Sequence, residues 1–141
     1  MNRSTTMSFR QYLLKFAVAS IALFTLSNAA QAELCKKYKQ VQSNAGACGN
    51  CFIDVSSIGG RGHYYAIVAS NGWIAEARST HGDTSLASGT GKWRSDVGHA
   101  FAGTKFEVDL EQQGSQLSMT MDGNVNGQRQ IIRAKFQCIQ R

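Results

Sequence analysis

Three stretches in the second half of the chain alternate apolar and polar residues with a period of two. In "KFEVDLE", Phe106, Val108 and Leu110 fall on one side and charged residues on the other, and "QLSMTMD" and "QIIRAKFQC" repeat the pattern. Successive side chains of a β-strand point to opposite faces, so this is the period of a strand with one buried face and one wet face. The sequence therefore predicts strands that each cover one side of a core.

Turn signals separate these stretches from one another. Asn71-Gly72 lies between "HYYAIVAS" and "WIAEARS", in the position of a hairpin turn. Further glycines interrupt the chain at short intervals, and no helical period follows residue 50. The predicted fold is mainly β: one antiparallel meander of about seven strands, closed into a small barrel or folded as a sandwich.

The segment ahead of these strands has a different composition. "ELCKKYKQVQSNAGA" is rich in good helix formers, and Leu34, Tyr38 and Val41 fall at steps of three and four residues. This spacing predicts a short helix over about residues 34–45, ended by the glycines that follow.

The first 32 residues have the pattern of a secretory signal peptide. A basic leader without acidic residues precedes the apolar run "FAVASIALFTL", and Ala30-Gln31-Ala32 forms a small-residue cleavage motif. The run is shorter than the roughly 20 residues that span a bilayer, so cleavage before Glu33 is expected to leave no stable membrane anchor. Residues 33–141 then form a single β-rich domain, in the periplasm or secreted.

Four cysteines in an exported chain of this size favour a disulfide framework. Cys48 and Cys51 form a C-x-x-C motif, but the residues after it are typical of a strand, whereas a redox dithiol needs a helix N-terminus. A zinc site would need two more ligands at close spacing. We favour the pairs Cys35–Cys138 and Cys48–Cys51, because a helix from Cys35 would carry Cys48 about 20 Å away. The alternative joins Cys35 to Cys51 and Cys48 to Cys138.

The three histidines are spaced evenly along the chain. His63, His81 and His99 are 18 residues apart. In a meander, His63 and His81 are expected to lie at one end of the sheet, next to Asp83, and His99 toward the other end. Solvated turn histidines are therefore favoured over a metal site, and no metal or other cofactor is expected.

One stretch, "GHYYAIVASNGWIAEA", resembles the histidine-bearing hairpin of papain-like amidases and endopeptidases that cut bacterial cell walls. The resemblance covers about sixteen residues. It implies that His63 is a general base and that Cys48 or Cys51 is the nucleophile. Those families place the cysteine at the start of a helix and farther from the histidine strand than it is here. A cysteine in a disulfide bond would also be unable to act as the nucleophile.

The chain carries no serine elbow, no phosphate-binding glycine loop and no paired carboxylates in an apolar setting. We therefore expect a non-enzymatic binding protein, of the inhibitor or immunity type, acting on a cell-wall enzyme or another envelope protein. Its shape class is similar to that of periplasmic lysozyme inhibitors. The alternatives are a thiol-dependent enzyme and a virulence or adhesion factor that binds a host glycan or protein.

The partner expected is another protein in the envelope or outside the cell. Part of the net charge of +6 lies in the leader, and no basic run is interleaved with aromatic residues, so no nucleic acid is expected. Binding residues gather in loops on a rigid scaffold. The Trp73 side chain shares a face with alanines, which favours the core, yet tryptophan is also common in binding sites. The candidate binding residues are Arg61, His63, His81, Trp73 and Arg94.

Overall fold

The computed structural model describes residues 33–59, 64–80, 83–98 and 100–141, and all regular structure in these ranges is β-strand. The predicted signal peptide, residues 1–32, lies outside them. Each strand pairs antiparallel with the next, and the last pairs with the first, so the sheet closes into a barrel. The strands are β1 (Lys37–Ser43), β2 (Phe52–Ile58), β3 (Tyr64–Ala69), β4 (Trp73–Thr80), β5 (Asp83–Trp93), β6 (Lys105–Gln113), β7 (Gln116–Val125) and β8 (Gln128–Gln140).

The prediction of a mainly β fold is confirmed, and the barrel is the form adopted. The predicted count of about seven strands is one short, because the segment predicted as a helix over about 34–45 contains β1. Tyr38 pairs with Ile53 of β2 and with Cys138 of β8. Val41, placed on the same helical face as Tyr38 by the prediction, is instead 58% exposed. Helix propensities differ by only tenths of a kcal/mol per residue, whereas two hydrogen-bonded ladders depend on this strand.

The predicted alternation sets the inside and outside of the barrel. Along β6 every second residue is buried, and β7 places Leu117, Met119 and Met121 in the same core. These buried side chains point into the interior, as in other barrels of eight strands. The hairpin predicted at Asn71-Gly72 joins β3 to β4.

Two disulfide bonds mark the two ends of the barrel. Cys35–Cys138 joins the residue ahead of β1 to the end of β8, and we name this the bridge end. Cys48–Cys51 closes the connection from β1 to β2 at the other end, the clip end. The structure thus contains the pairing favoured from the sequence, although β1 is not the helix on which that choice relied.

A buried polar cluster closes the bridge end. The Tyr38 hydroxyl accepts a hydrogen bond from the Cys35 backbone N–H at 2.8 Å and donates one to the side-chain oxygen of Gln112. Tyr38 is fully buried and Gln112 nearly so. Burial, which disfavours the phenolate, raises the pKa of Tyr38 to about 12. The cluster satisfies polar groups that would otherwise be costly to bury beside the outer disulfide.

Candidate binding site

A broad concavity lies on the outer face of the barrel, across strands β3 to β8. It has a volume of about 970 Å³. Its apolar side is formed by Ala66, Val68 and Ile74, and its charged side by Glu76, Lys92, Lys105, Glu107, Asp122 and Arg129. We call this feature the outer groove.

The outer groove lies over a part of the barrel where two of the three inward-facing residues on neighbouring strands are glycines. Gly91, Phe106 and Gly123 are consecutive Cα partners across β5, β6 and β7, so all three face inward. A Cβ on Gly91 would stand 2.4 Å from Phe106 Cε2, and one on Gly123 would stand 3.2 Å from Phe106 Cβ. The Phe106 side chain thus fills the space that three side chains would normally occupy, and the strands can approach one another closely here.

The apolar side of the outer groove belongs to β3 and β4. Val68 is 52% exposed and directly opposite Ile74, and Ala66 is half-buried beside them. β3 is therefore apolar on both faces: Tyr65, Ile67 and Ala69 are buried in the core. The outer face of β3 therefore leaves apolar surface partly exposed to water, and such surface, when rimmed by polar residues, is typical of interaction sites.

The charged side places like charges directly opposite one another. Lys92 pairs with Lys105 across β5 and β6, and Glu107 pairs with Asp122 across β6 and β7. Such opposition destabilises a sheet unless an opposite charge lies nearby. Arg129 supplies one for Asp122, with Nε 3.0 Å from the carboxylate oxygens.

Neither Lys92 nor Lys105 belongs to the ion pairs found within the described ranges, which are Lys37–Asp54, Arg94–Asp96 and Arg129–Asp122, although Glu76 and Glu107 line the same groove. The two lysines are directly opposed Cα partners, and Lys92 is also the Cα partner of Ile74 on the apolar side. An external carboxylate placed between them would relieve their mutual repulsion.

The electrostatics of Asp122 are not those of a general acid. An acid–base pair needs one carboxyl group with a raised pKa, so that it stays protonated near neutral pH. The hydrogen bond from Arg129 instead lowers the pKa of Asp122. Within the described residues, no group of three or more His, Cys, Asp and Glu side chains is arranged to hold a metal ion. The outer groove thus combines an apolar side with a charged side.

All four cysteines are in disulfide bonds, so Cys48 and Cys51 present no thiolate in this state. Phe52, directly after the clip, begins β2. The motif consequently lacks the helix N-terminus that lowers the pKa of a redox-active thiol. The geometry does not favour the thiol-dependent alternative.

The binding residues predicted from the sequence are only partly within the described ranges. Arg61, His63 and His81 lie outside them, and their role stays a prediction. Trp73 and Arg94 both lie at the clip end, where the Arg94 backbone N–H donates to the Gly72 carbonyl at 2.9 Å. The indole of Trp73 is 2% exposed. Arg94 is exposed, with its Nε 3.3 Å from Asp96.

Sequence reasoning missed the outer groove as a site. A signal was present in "YYAIVA", which is apolar at both odd and even positions. Lys92 and Lys105, however, become neighbours only through the register of β5 against β6. No protein-family model, curated protein or solved structure matches the chain.

Proposed function

We propose that this chain is an exported, non-enzymatic binding protein of the inhibitor or immunity type, which recognises another protein of the envelope or the extracellular space. The observation that carries the proposal is the outer groove, in which the partly exposed apolar side chains of Val68 and Ile74 adjoin two directly opposed lysines, Lys92 and Lys105. The two disulfide bonds are consistent with an oxidising compartment.

The outer groove defines the chemistry of the partner. Val68 and Ile74 offer an apolar contact, and Lys92 and Lys105 offer donors to a carboxylate next to it. The complementary surface is a protein segment that presents an apolar side chain beside an Asp or Glu. Aromatic or aliphatic anchors surrounded by polar contacts are typical of the residues that dominate binding energy.

Charge reversal inside and outside the outer groove tests this proposal. Lys92→Glu and Lys105→Glu place a carboxylate where the partner's carboxylate would bind. Lys39→Glu and Lys135→Glu make the same charge change at exposed positions of β1 and β8 that do not line the outer groove. The partner is first isolated with the wild-type protein from the envelope and secreted fractions of the exporting cell.

Each groove variant should weaken binding of that partner by about 10- to 100-fold, because a hydrogen bond to a charged group contributes about 1.5–3 kcal/mol. The control variants should stay within about threefold of wild type, since exposed charges far from an interface contribute little. Equal affinity of all four variants would contradict the proposal, as would a wild type that captures only polysaccharide.

A further inference from the structure

The clip end contains a second cavity, separate from the outer groove and formed by the inner face of the barrel. Its volume is about 410 Å³, within the range of about 300–1,000 Å³ typical of small-molecule sites. Its floor and walls are formed by Trp73, Trp93, Phe101, Met119, Met121 and Ile132. We call this cavity the clip pocket, because Cys48 and Cys51 line its upper edge.

The lining of the clip pocket is aromatic and polarisable. Trp73 and Trp93 are Cα partners across β4 and β5, and the Phe101 ring stacks on Trp93 with centroids 5.5 Å apart. Met119 and Met121, on the opposite wall, add two thioethers that contact aromatic rings favourably. Flat aromatic surfaces are bound well by such a lining.

No charged side chain lines the clip pocket within the described part of the chain. The polar side chains at its edge are neutral amides and a hydroxyl, from Gln40, Asn71 and Ser43. An ionised group brought into this setting would lose hydration without gaining an opposite charge. The lining therefore selects a neutral ligand with at most a few hydrogen-bonding groups.

The connection from β1 to β2 is fixed above the clip pocket at both of its ends. The Asn44 side chain donates to the Ile131 carbonyl at 3.0 Å and accepts from the Arg133 N–H at 2.8 Å, which ties the first end to β8. The Cys48–Cys51 disulfide and the hydrogen bond from the Phe52 N–H to Ser70 Oγ fix the second end. A segment held in this way keeps the cavity formed before a ligand arrives, which lowers the entropic cost of binding.

We propose that the clip pocket binds one small, neutral molecule with a flat apolar or aromatic part. The site is independent of the outer groove: it lies on the inner rather than the outer face, and its lining residues are different. The clip disulfide serves this site by positioning the overhanging segment.

A matched pair of fluorescent probes tests the proposal. N-phenyl-1-naphthylamine is neutral, and 1-anilinonaphthalene-8-sulfonate has the same two aromatic parts plus a sulfonate. The chain contains two tryptophans, and both line the clip pocket. Binding of the neutral probe should therefore be saturable at one site and accompanied by quenching of tryptophan fluorescence. The anionic probe should bind at least tenfold more weakly.

Three single-residue variants test whether the neutral probe binds in the clip pocket. Ala47→Phe extends a side chain from an exposed, lining position into the clip pocket, whereas Asn50→Phe adds the same ring in the same connection at a position that does not line it. The first should weaken the neutral probe at least tenfold and the second by no more than about twofold. Val68→Lys, in the outer groove, should leave the affinity unchanged.

Thermal melting and near-ultraviolet circular dichroism establish that each variant is folded. Ile132→Asn, at a half-buried lining position, is a second variant that should weaken binding of the neutral probe. Three results would each overturn the proposal: no saturable binding of the neutral probe, equal affinity for the two probes, or equal loss in the Ala47→Phe and Asn50→Phe variants. Loss of probe binding in Val68→Lys alone would assign the probe to the outer groove. Failure of this site leaves the proposed recognition of a protein partner intact.

Discussion

Removal of one disulfide at a time should show that the two bridges contribute very differently to stability. The comparison uses Cys35→Ala with Cys138→Ala, and Cys48→Ala with Cys51→Ala, so that no unpaired thiol remains. Each pair contains one buried cysteine and one half-buried cysteine. The packing lost with the sulfur atoms is therefore similar, and the difference between the double variants reflects the loops that the bridges close.

The Cys35–Cys138 disulfide, here called the outer bridge, has a sequence separation of 103 residues. The Cys48–Cys51 disulfide, here called the clip, has a separation of 3. In the chain-entropy model, a loop of about 100 residues stabilises the folded state by about 4.7 kcal/mol, and a loop of about 4 residues by about 2 kcal/mol. The outer-bridge variant should therefore lose about 3 kcal/mol more of its free energy of unfolding than the clip variant.

Urea unfolding followed by tryptophan fluorescence measures this difference. With a denaturant dependence of about 1–3 kcal/mol per molar urea, the midpoints of the two variants should differ by about 1–3 M. Equal midpoints would refute the reasoning, because they would mean that the outer bridge does not act by restricting the unfolded chain. A lower midpoint for the clip variant would refute it more strongly.

Two further predictions concern single positions in the barrel. Gly91→Ala should lower the free energy of unfolding by about 1–3 kcal/mol, because its Cβ would stand 2.4 Å from Phe106 Cε2, whereas Gly49→Ala has no atom within 4 Å and should change it little. Thermal melts of the two variants check this, and similar shifts would contradict the close packing of Gly91 against Phe106 inside the barrel. Burial raises the pKa of Tyr38 from its ordinary value of about 10 to about 12, so that its contribution to stability, about 2–3 kcal/mol, is fully present below pH 10 and is lost as the pH rises to about 12. Urea unfolding between pH 8 and pH 11.5 should show a larger loss for wild type than for Tyr38→Phe, which retains Tyr65, whose pKa burial also raises. Identical pH dependence in both would contradict the assignment.

Strand identity was predictable wherever the alternation was regular. β6 and β7 carry a strict period of two, and each has one buried face as predicted. β1 was mistaken for a helix because lysine and glutamine are good helix formers, and because its buried face contributes little more than Tyr38. Its conformation is set by β2 and β8, which lie far apart in the sequence.

The glycines of β5 made this strand difficult to predict from the sequence. Gly89 and Gly91 lie within an eleven-residue strand, although glycine is depleted in strands. Glycine weakens an isolated strand, but here the Phe106 ring covers Gly91 from the neighbouring strand. That compensation depends on the register between β5 and β6, which composition alone does not reveal.

The outer groove was unpredictable for the same reason. Its apolar side comes from β3 and β4, and its two opposed lysines, Lys92 and Lys105, come from β5 and β6. Each residue on its own is an ordinary exposed side chain. Sequence reasoning instead placed the site in glycine-rich loops, where Arg61, His63 and His81 lie outside the described residues.

The central claim, recognition of a protein through the outer groove, is tested most directly by photo-crosslinking from defined positions in the exporting cell. A photoreactive phenylalanine analogue is introduced at Val68, in the outer groove, and separately at Lys135, an exposed position on β8 outside it. We expect a crosslinked adduct with one protein from position 68 alone, and a marked reduction of that adduct when Lys92→Glu is added. An adduct of equal yield from position 135, or no adduct from position 68, would contradict recognition through the outer groove.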